Sequence, residues 1–513
     1  MIRMSRSQAL IALLATAGYV PLMFWSTNQT ELARPWAPVA IYFALGAAAW
    51  LVAIVVPRRW METTTYAGMM SLILVAAGGS LWSEFGVLMV LAMATIVGMI
   101  IARLSGSKAL HLGMSIVVVF FIINPLGNII VERINWGTSS VVDQDARLVG
   151  GLETRSDFYL VVLDAYGGSL GLEAEFDFRN ETFTDLLQEA GFSLPIAWAS
   201  YPLTHLSIPS FLEMGYIADD GFVTSPASTA ALHRVIGGDN NLVSLAKSSG
   251  YAFTMIEAGW GGSKCGGQVD TCVHAPIYDD GLAAIAASSV LGDKLRFELG
   301  HGFTQGALGA MDWLRSNTAR LSSNEHPDLV FAHLLVPHPP TFLDRSCHVR
   351  ASPVYASPLL RNAGDSAELV KERREGYLEQ LECVNKFLAE FVDLVGSEAT
   401  IVMLGDHGPE SLNQTFTDPR IWSSRQITER LNAFLAVRTP GSCDMMSPLV
   451  LPNVLPQILG CSAGLVVPLL PDRLFTVVEL DAPAQVYEIA TERVTTIMHQ
   501  SLPSPVFKNR IGS

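Results

Sequence analysis

Five long apolar stretches fill the first part of the chain, and none of them contains Lys, Arg or Asp. They are Ala9 to Trp25, Ala37 to Val56, Tyr66 to Trp82, Phe85 to Ala102 and Leu110 to Val131. At ~1.5 Å per helical residue, each is long enough to cross a hydrocarbon core of ~30 Å. The pattern predicts a transmembrane module of five helices over residues 1–135. A cleaved signal peptide is the alternative for the first stretch, but no small-x-small cleavage site follows it.

The loops between these stretches set the expected orientation, because Lys and Arg accumulate on the cytoplasmic side of a membrane. Basic clusters precede the first stretch and follow the second and the fourth: Arg3 with Arg6, Arg58 with Arg59, and Arg103 with Lys108. All three clusters fall on one side if every stretch crosses the membrane. An odd number of crossings then places the rest of the chain outside the cytoplasm.

The pattern changes after a polar linker at residues 136–156. Short β-branched runs then alternate with longer helical stretches, which predicts an α/β domain over residues 157–513 with a mainly parallel sheet between helices. The predicted strands are Phe158 to Leu163, Tyr251 to Ile256, Leu329 to Leu335, Thr400 to Leu404 and Leu431 to Val437. The predicted helices are Glu181 to Ala190, Leu242 to Ser249, Glu368 to Val395, with a possible break near its start, and Ala484 to His499.

Charge and cysteine content agree with an extracytoplasmic domain. The first 135 residues carry eight basic and four acidic side chains, which leaves 25 basic and 44 acidic ones, a net charge of about −19, to the rest. Such a surface excludes nucleic acid as a partner. All six cysteines lie in the domain, and an even count favours disulfides in an oxidising compartment. Although fifteen connectivities are possible, we expect neighbours to pair: Cys265 with Cys272, Cys347 with Cys383, and Cys443 with Cys461.

Candidate metal ligands follow the predicted strands. Asp164 comes directly after the first of them, Asp406 and His407 follow the fourth, and His338 lies just past the third. In an open α/β sheet, the carboxyl ends of the strands collect the ligand-binding side chains. Each position alone has a structural explanation, because an Asp at the end of a strand often caps the next helix and a single His is usually structural. Together, carboxylates and an imidazole are typical of a site for one divalent metal ion, Zn²⁺ in the first place and Mn²⁺ in the second.

The run Tyr201 to Ser210 supplies hydroxyl groups in a loop before a predicted helix. Its Thr-x-x-Ser-x-Pro pattern begins at Thr204, and with Asp164 and the Asp-His-Gly run at 406–408 it makes a specific set. The chain resembles the alkaline phosphatase superfamily, in particular its sulfatase-like membrane branch, which includes lipid A phosphoethanolamine transferases and lipoteichoic acid synthases. Those relatives also place five membrane spans ahead of an extracytoplasmic catalytic domain.

The resemblance implies a role for each matching residue. Thr204 is the expected catalytic nucleophile, and the metal ligands are Asp164, Thr204, Asp406 and His407. A metal ion lowers the pKa of a threonine hydroxyl and so makes it a competent nucleophile. The expected substrate-binding residues are His338, His333, Arg345 and His205. A buried structural histidine within a strand is the alternative for His333.

Two departures bear on the substrate. In sulfatases, a Cys or Ser that lies in a pattern ending in Arg is converted to formylglycine. In this chain Phe211 stands where that Arg is required. Phosphoethanolamine transferases carry a second substrate histidine soon after Asp-His-Gly, and Pro409 to Thr428 contains none. One of the arginines at 420, 425 or 430 is the candidate replacement.

The sequence therefore predicts a multi-pass enzyme of the bacterial inner membrane with its catalytic domain in the periplasm or outside. It would move a phosphoethanolamine or phosphoglycerol type of headgroup from a membrane phospholipid donor to an envelope glycan or lipid acceptor, through a threonine phospho-enzyme. A hydrolase of the same fold, either a phosphatase or a phosphodiesterase, is the first alternative. A non-catalytic membrane scaffold is the second, although the spans lack the buried acids and bases of a transport path.

Overall fold

The computed structural model describes residues 6–27, isolated positions between 40 and 119, and residues 123–131, 156–274, 301–321, 326–354, 367–412, 417–441, 443–478 and 484–500. The chain divides into two compact units. One comprises residues 1–139, 259–262 and 277–303, and the other comprises residues 140–258, 263–276 and 304–513.

The first unit contains helix α1 (Arg6–Thr27), which covers the first predicted span. Within the part of the chain that the structure describes, no helix combines the length and the apolarity needed to cross a membrane. The other four predicted spans lie largely outside the described residues, as does the predicted linker at 136–156. The five-helix module and the domain boundaries stay predictions.

The second unit is built on a six-stranded sheet. Its strands are β1 (Phe158–Leu163), β3 (Ala252–Ile256), β4 (Thr271–Val273), β5 (Asp328–Leu334), β8 (Thr400–Gly405) and β10 (Leu435–Arg438), in the order β10-β8-β1-β5-β3-β4. Every pairing is parallel except that of β10 with β8. All six residues of β1 are buried, which is typical of a parallel strand covered on both faces. The predicted α/β class with a mainly parallel sheet is confirmed.

Helices pack against this sheet, and the remaining strands form one three-stranded sheet and two strand pairs. The helices are α2 (Ser169–Phe176), α3 (Glu181–Glu189), α4 (Thr204–Glu213), α5 (Pro226–Ile236), α6 (Asn241–Ser248), α7 (His301–Leu321), α8 (Ala367–Leu394), α9 (Ser424–Leu431), α10 (Val454–Ala463) and α11 (Thr491–Gln500). The remaining strands are β2 (Ala197–Trp198), β6 (Thr341–Leu343), β7 (Val349–Val354), β9 (Asn432–Ala433), β11 (Leu449–Val450), β12 (Phe475–Val478) and β13 (Gln485–Glu488). Alternate β1 residues pack against α8, where the rings of Tyr159 and Phe391 meet edge to face at 5.6 Å.

Strand register brings the candidate ligands to one edge of the sheet. Leu163, the last residue of β1, lies opposite Leu334 of β5 and Gly405 of β8. The residues that follow these three strands therefore emerge side by side at their carboxyl ends. Asp164 and Asp406 both occupy such positions.

The three predicted disulfides are confirmed. Cys265 bonds to Cys272, Cys347 to Cys383, and Cys443 to Cys461. Each closes a loop of 7, 36 or 18 residues respectively, which restricts the unfolded chain. The third bond attaches the loop after β10 to α10.

Two predicted elements were wrong in part. The predicted strand Leu431–Val437 is broken, because Leu431 ends α9 and the Asn432 side chain turns to accept hydrogen bonds from the Leu170 and Gly171 amides of α2. The predicted helix Ala484–His499 begins only at Thr491. Its first part, β13, pairs antiparallel with β12, and this long-range pairing overrides the local helical pattern. By contrast, α8 runs unbroken over 28 residues, so the possible break in the predicted helix is absent.

Candidate active site and metal centre

The turn after β1 aims Asp164 into the site. Ala165 has a φ of 60°, a left-handed conformation that is uncommon outside glycine. Several contacts hold it there: its amide donates to Asp406 Oδ1 at 3.0 Å, and the Tyr377 hydroxyl donates to its carbonyl at 2.9 Å. Since such strain persists only where the surroundings enforce it, this turn is a built feature of the site.

The turn after β8 requires both of its glycines. A Cβ atom on Gly405 would lie 2.1 Å from the Tyr166 carbonyl oxygen, and one on Gly408 would lie 1.9 Å from the Glu429 carbonyl oxygen. Both neighbours are backbone atoms, which cannot move aside cheaply. The Gly-Asp-His-Gly run therefore lets Asp406 and His407 sit directly against two neighbouring segments.

We expect Gly408→Ala to destabilise the domain by about 1–3 kcal/mol or more, the usual cost of overpacking. The matched control is Gly396→Ala, because no atom lies within 4 Å of a Cβ built at Gly396. Urea denaturation of both variants measures the change in the free energy of unfolding. Equal stabilities for the two variants would show that the close approach at Gly408 is not a constraint.

Asp164, Asp406 and His407 form a buried group whose ligand atoms all lie within 4.8 Å of one another. His407 Nε2 is 3.4 Å from Asp406 Oδ2 and 3.8 Å from Asp164 Oδ1. The other ring nitrogen, Nδ1, lies 3.0 Å from the Gly408 carbonyl oxygen, which only accepts. Nδ1 therefore carries the proton and Nε2 presents its lone pair to the carboxylates.

Helix α4 places Thr204 at the same point. Thr204 is its first residue, and its Oγ1 lies 3.3 Å from His407 Nε2. Three residues on, the buried Ser207 hydroxyl donates to the Asp406 backbone carbonyl at 2.6 Å, which ties the helix to the turn after β8. The positive end of the helix dipole therefore faces the site and favours negative charge there.

Burial dominates the electrostatics. It raises the pKa of Asp164 to about 7, against the lowering influence of Arg430. Burial and then the charge of Asp164 raise the pKa of Asp406 to about 7. Burial, followed by the positive charge of Arg430, lowers the pKa of His407 well below its ordinary value. A cation held between these two carboxyl groups would favour the ionised form of both.

The donor atoms of these side chains fit a divalent metal ion. Asp164 Oδ1 and Asp406 Oδ2 are buried and make no hydrogen bond in the described part of the chain. Two carboxylate oxygens and an imidazole lone pair, with a threonine hydroxyl beside them, are the donors that a borderline cation prefers. A second group, Glu257 with Cys265 and Cys272, does not qualify because its cysteines form a disulfide.

The stability of the metal-free domain should depend on pH. Asp164 and Asp406 have a pKa of about 7 in the fold and 3.8 ordinarily. Their contribution to stability is therefore present below about pH 4 and is lost as the pH rises to 7. We expect the melting temperature of chelator-treated protein to fall between pH 5 and pH 8, and Zn²⁺ to raise it more at pH 8, where the ligands are deprotonated. Scanning calorimetry at the two pH values measures this, and equal shifts at both would contradict the ligand assignment.

Two of the four expected substrate-binding residues lie at this edge of the sheet. His333 is fully buried in β5, with Nε2 3.9 Å from Asp164 Oδ2 and Nδ1 2.7 Å from the Ser263 hydroxyl. Burial, and then the nearby His338, lowers the pKa of His333 to about 3. His338 bonds through Nδ1 to the Pro339 carbonyl oxygen, and burial followed by Arg430 lowers its pKa.

The other two expected residues make contacts with residues outside the metal-ligand group. Arg345 is exposed and pairs with Glu379 at 3.4 Å and Glu382 at 3.6 Å. His205 follows Thr204 on α4, but its buried ring lies edge-on to that of His233, with 6.5 Å between centroids. None of the interactions described for Arg345 reaches the metal ligands.

Sequence reasoning missed the residues that hold the ligands. Ser263 contacts His333 from the Gly-rich run before Cys265, and Tyr377 holds the Ala165 turn from α8. Neither residue lies at a strand end or in a motif, so no local signal marked it. Arg430 was one of three candidates, and among them only its charge acts on the ligands.

Comparison with known families decides the classification. The model of the Sulfatase family matches residues 160–429, which is more than half of the chain and includes both turns and Thr204. The chain belongs to the sulfatase family. It is therefore an enzyme of the alkaline phosphatase superfamily. A search of curated proteins gave no match.

Three solved structures are similar to this chain at low identity. The C-terminal periplasmic domain of EcEptC from Escherichia coli, in complex with Zn, has a TM-score of 0.39 and 12% identity, covering 67% of this chain and 97% of that one. The lipooligosaccharide phosphoethanolamine transferase EptA from Neisseria meningitidis has a TM-score of 0.39 and 13% identity, covering 89% and 95%. Phosphonate monoester hydrolase of Agrobacterium radiobacter has a TM-score of 0.42 and 14% identity, covering 64% and 81%.

Proposed function

We propose that this sulfatase-family enzyme is a membrane-anchored, metal-dependent phosphotransferase. It moves a phosphoethanolamine or phosphoglycerol type of headgroup from a membrane phospholipid to an envelope glycan or lipid. The observation that carries the proposal is the position of Thr204 Oγ1, 3.3 Å from His407 Nε2 at the start of a helix and beside two buried carboxyl groups. That arrangement is typical of an activated hydroxyl nucleophile.

The reaction proceeds in two displacements at phosphorus. Thr204 Oγ1 attacks the donor, so that the Oγ1–P bond forms, the bond from phosphorus to the diacylglycerol oxygen breaks, and diacylglycerol leaves with the hydroxyl proton. An acceptor hydroxyl then attacks the phospho-threonine, the Oγ1–P bond breaks, and the proton returns to Thr204. When bound, a divalent ion supplies a Lewis acid that lowers the pKa of the Thr204 hydroxyl and offsets phosphoryl charge.

Residues around Thr204 have distinct parts in this proposal. Asp164, Asp406 and His407 hold the ion, for which Zn²⁺ is the first candidate and Mn²⁺ the second. His338 has its Nδ1 committed to Pro339, so its Nε2 is the nitrogen that a substrate or leaving-group oxygen would meet. The module of five predicted spans would anchor the enzyme in a bacterial inner membrane, with the catalytic domain in the periplasm or outside and lipid donors within reach.

Hydrolysis in the same site is the second candidate, and the match to the Sulfatase family favours it. In that case water, and not an acceptor hydroxyl, resolves the phospho-threonine. Phe211, a fully buried side chain on α4, stands where the formylglycine pattern requires Arg and disfavours sulfate-ester hydrolysis by that route.

Supplying an acceptor separates the two candidates. Full-length protein in detergent is incubated with phosphatidylethanolamine or phosphatidylglycerol, with and without lipid A or an envelope glycan. A transferase releases diacylglycerol faster when an acceptor is present and adds the headgroup to that acceptor. Release of the free phosphoester at one rate regardless of acceptor would identify a hydrolase. Protein without affinity for any divalent ion would instead favour the scaffold.

A further inference from the structure

Arg430 is a buried cation beside the metal ligands. It lies in the last turn of α9 and is only 9% exposed. Its Nη1 donates to the Gly408 carbonyl oxygen at 2.8 Å, and the Gly408 amide donates to the Arg430 carbonyl oxygen at the same distance. These reciprocal bonds fix the base and one nitrogen of the side chain against the turn after β8.

The charge of Arg430 has no carboxylate partner in the described residues. Among the described residues this is the one hydrogen bond of the side chain, it uses one of five N–H donors, and Arg430 forms no ion pair with any of those residues. The neighbouring Glu429 accepts instead from the Ser411 amide at 2.7 Å and the Leu412 amide at 3.2 Å. A buried guanidinium without a carboxylate in direct contact is uncommon in a folded protein, because desolvation is costly unless an anion offsets it.

The guanidinium is coupled to the metal site through one oxygen. The Gly408 carbonyl accepts from both Arg430 Nη1 and His407 Nδ1. Burial is the largest influence on the pKa of each of five neighbouring groups, and the charge of Arg430 is a lowering influence on all five: Asp164, Asp406, His407, His338 and Tyr377. The positive charge of Arg430 therefore acts on three of the expected metal ligands, Asp164, Asp406 and His407.

The other two candidate arginines already have partners. Arg420 is 66% exposed and pairs with Asp418 at 2.5 Å. Arg425, on the same helix as Arg430, pairs with Glu175 at 2.7 Å. An arginine whose donors are committed to a carboxylate gains little from a phosphate, whereas Arg430 has both charge and donors to offer.

We infer that Arg430 binds the non-bridging phosphoryl oxygens of the substrate. This inference rests on the proposed function of the site. The ligand it implies is a tetrahedral oxyanion, which a planar guanidinium contacts with two nitrogens at once. Nη1 stays on Gly408, and the remaining donors turn to the anion. Arg430 is a substrate-binding residue, so its removal should weaken anion binding and leave metal loading intact.

Calorimetric titration of inorganic phosphate into the Zn²⁺-loaded full-length protein tests this. We expect the wild type to bind phosphate and Arg430→Gln to bind it at least about 10-fold more weakly, the loss expected for a charge-assisted hydrogen bond. Arg430→Lys, which keeps the charge but not the fork, should fall between them. The matched control Arg425→Gln should bind phosphate as the wild type does. Zinc content should be the same in all four proteins.

Phosphate binding of wild-type strength in both Arg430 variants would overturn the inference, as would a wild type that binds no phosphate. Circular dichroism melting checks that each variant is folded, and if Arg430→Gln is not, Arg430→Lys decides alone. The proposed function fails differently. If phosphate binding depends on Arg430 but Thr204 is never phosphorylated, the proposed transferase function fails and the role of Arg430 stands. If Thr204 is phosphorylated but phosphate binding does not depend on Arg430, the transferase function stands and the role of Arg430 fails.

Discussion

We expect Thr204→Ala to lower the turnover rate with lipid or soluble phosphoesters by at least about 1,000-fold, because no other described hydroxyl replaces the lost nucleophile. The change removes one half-buried oxygen at the start of α4, and the backbone bonds of that helix do not involve it. We therefore expect the melting temperature to stay close to that of the wild type. The measurement is the rate of diacylglycerol release, together with zinc content.

Two variants of the same helix serve as controls. Thr204→Ser keeps a primary hydroxyl and should retain part of the activity. Ser210→Ala removes a hydroxyl that donates to the Gly215 carbonyl oxygen at 2.5 Å, in the last turn of α4, and should leave turnover unchanged. A turnover rate of wild-type size in Thr204→Ala would contradict the proposed mechanism.

Asp406→Asn removes metal binding and makes the metal-free domain more stable at alkaline pH. An amide oxygen can still accept from the Ala165 and His407 amides as Asp406 Oδ1 does, so the turn is kept. The variant lacks the anionic ligand, and we expect zinc affinity to fall by more than about 100-fold, since even outer-shell changes cost 10–100-fold. It also lacks a buried carboxyl whose pKa is about 7, so the metal-free variant should melt above the wild type at pH 8 and close to it below about pH 4.

Zinc titration with a competing chelator and calorimetry at both pH values measure these effects. The control is Asp418→Asn, which alters an acid that pairs with the exposed Arg420. It should leave zinc affinity unchanged. Zinc affinity of wild-type strength in Asp406→Asn, or a lower melting temperature of the metal-free variant at pH 8, would contradict the assignment of Asp406 as a ligand.

The strands could be predicted from sequence because burial on both faces gives an unbroken apolar run. Phe158 to Leu163 has the predicted bounds, and Thr400 to Leu404 extends by one residue. The ligands followed from the strands, since Asp164 and Asp406 come directly after them. Local patterns failed where distant pairing decides the structure: Gln485 to Glu488 is a strand only because Phe475 to Val478 pairs with it.

Other parts of the site depend on contacts that sequence spacing does not encode. Ser263 reaches His333 across 70 residues, and the Tyr377 hydroxyl reaches the Ala165 carbonyl across 212. The expectation for Arg345 rested on the family resemblance, but its side chain turns to Glu379. The sequence shows only that such residues are polar. Their contact partners can be assigned once the order of the strands is known.

The most direct measurement is peptide mass spectrometry of full-length protein incubated with phosphatidylethanolamine or phosphatidylglycerol, with and without Zn²⁺ or Mn²⁺. We expect a metal-dependent adduct on Thr204 whose mass gives the headgroup, and no adduct in Asp406→Asn. An adduct on Ser207, whose hydroxyl donates to the Asp406 carbonyl oxygen, would contradict the choice of nucleophile. No adduct with either lipid, in protein loaded with metal, would contradict the proposed transfer from a phospholipid.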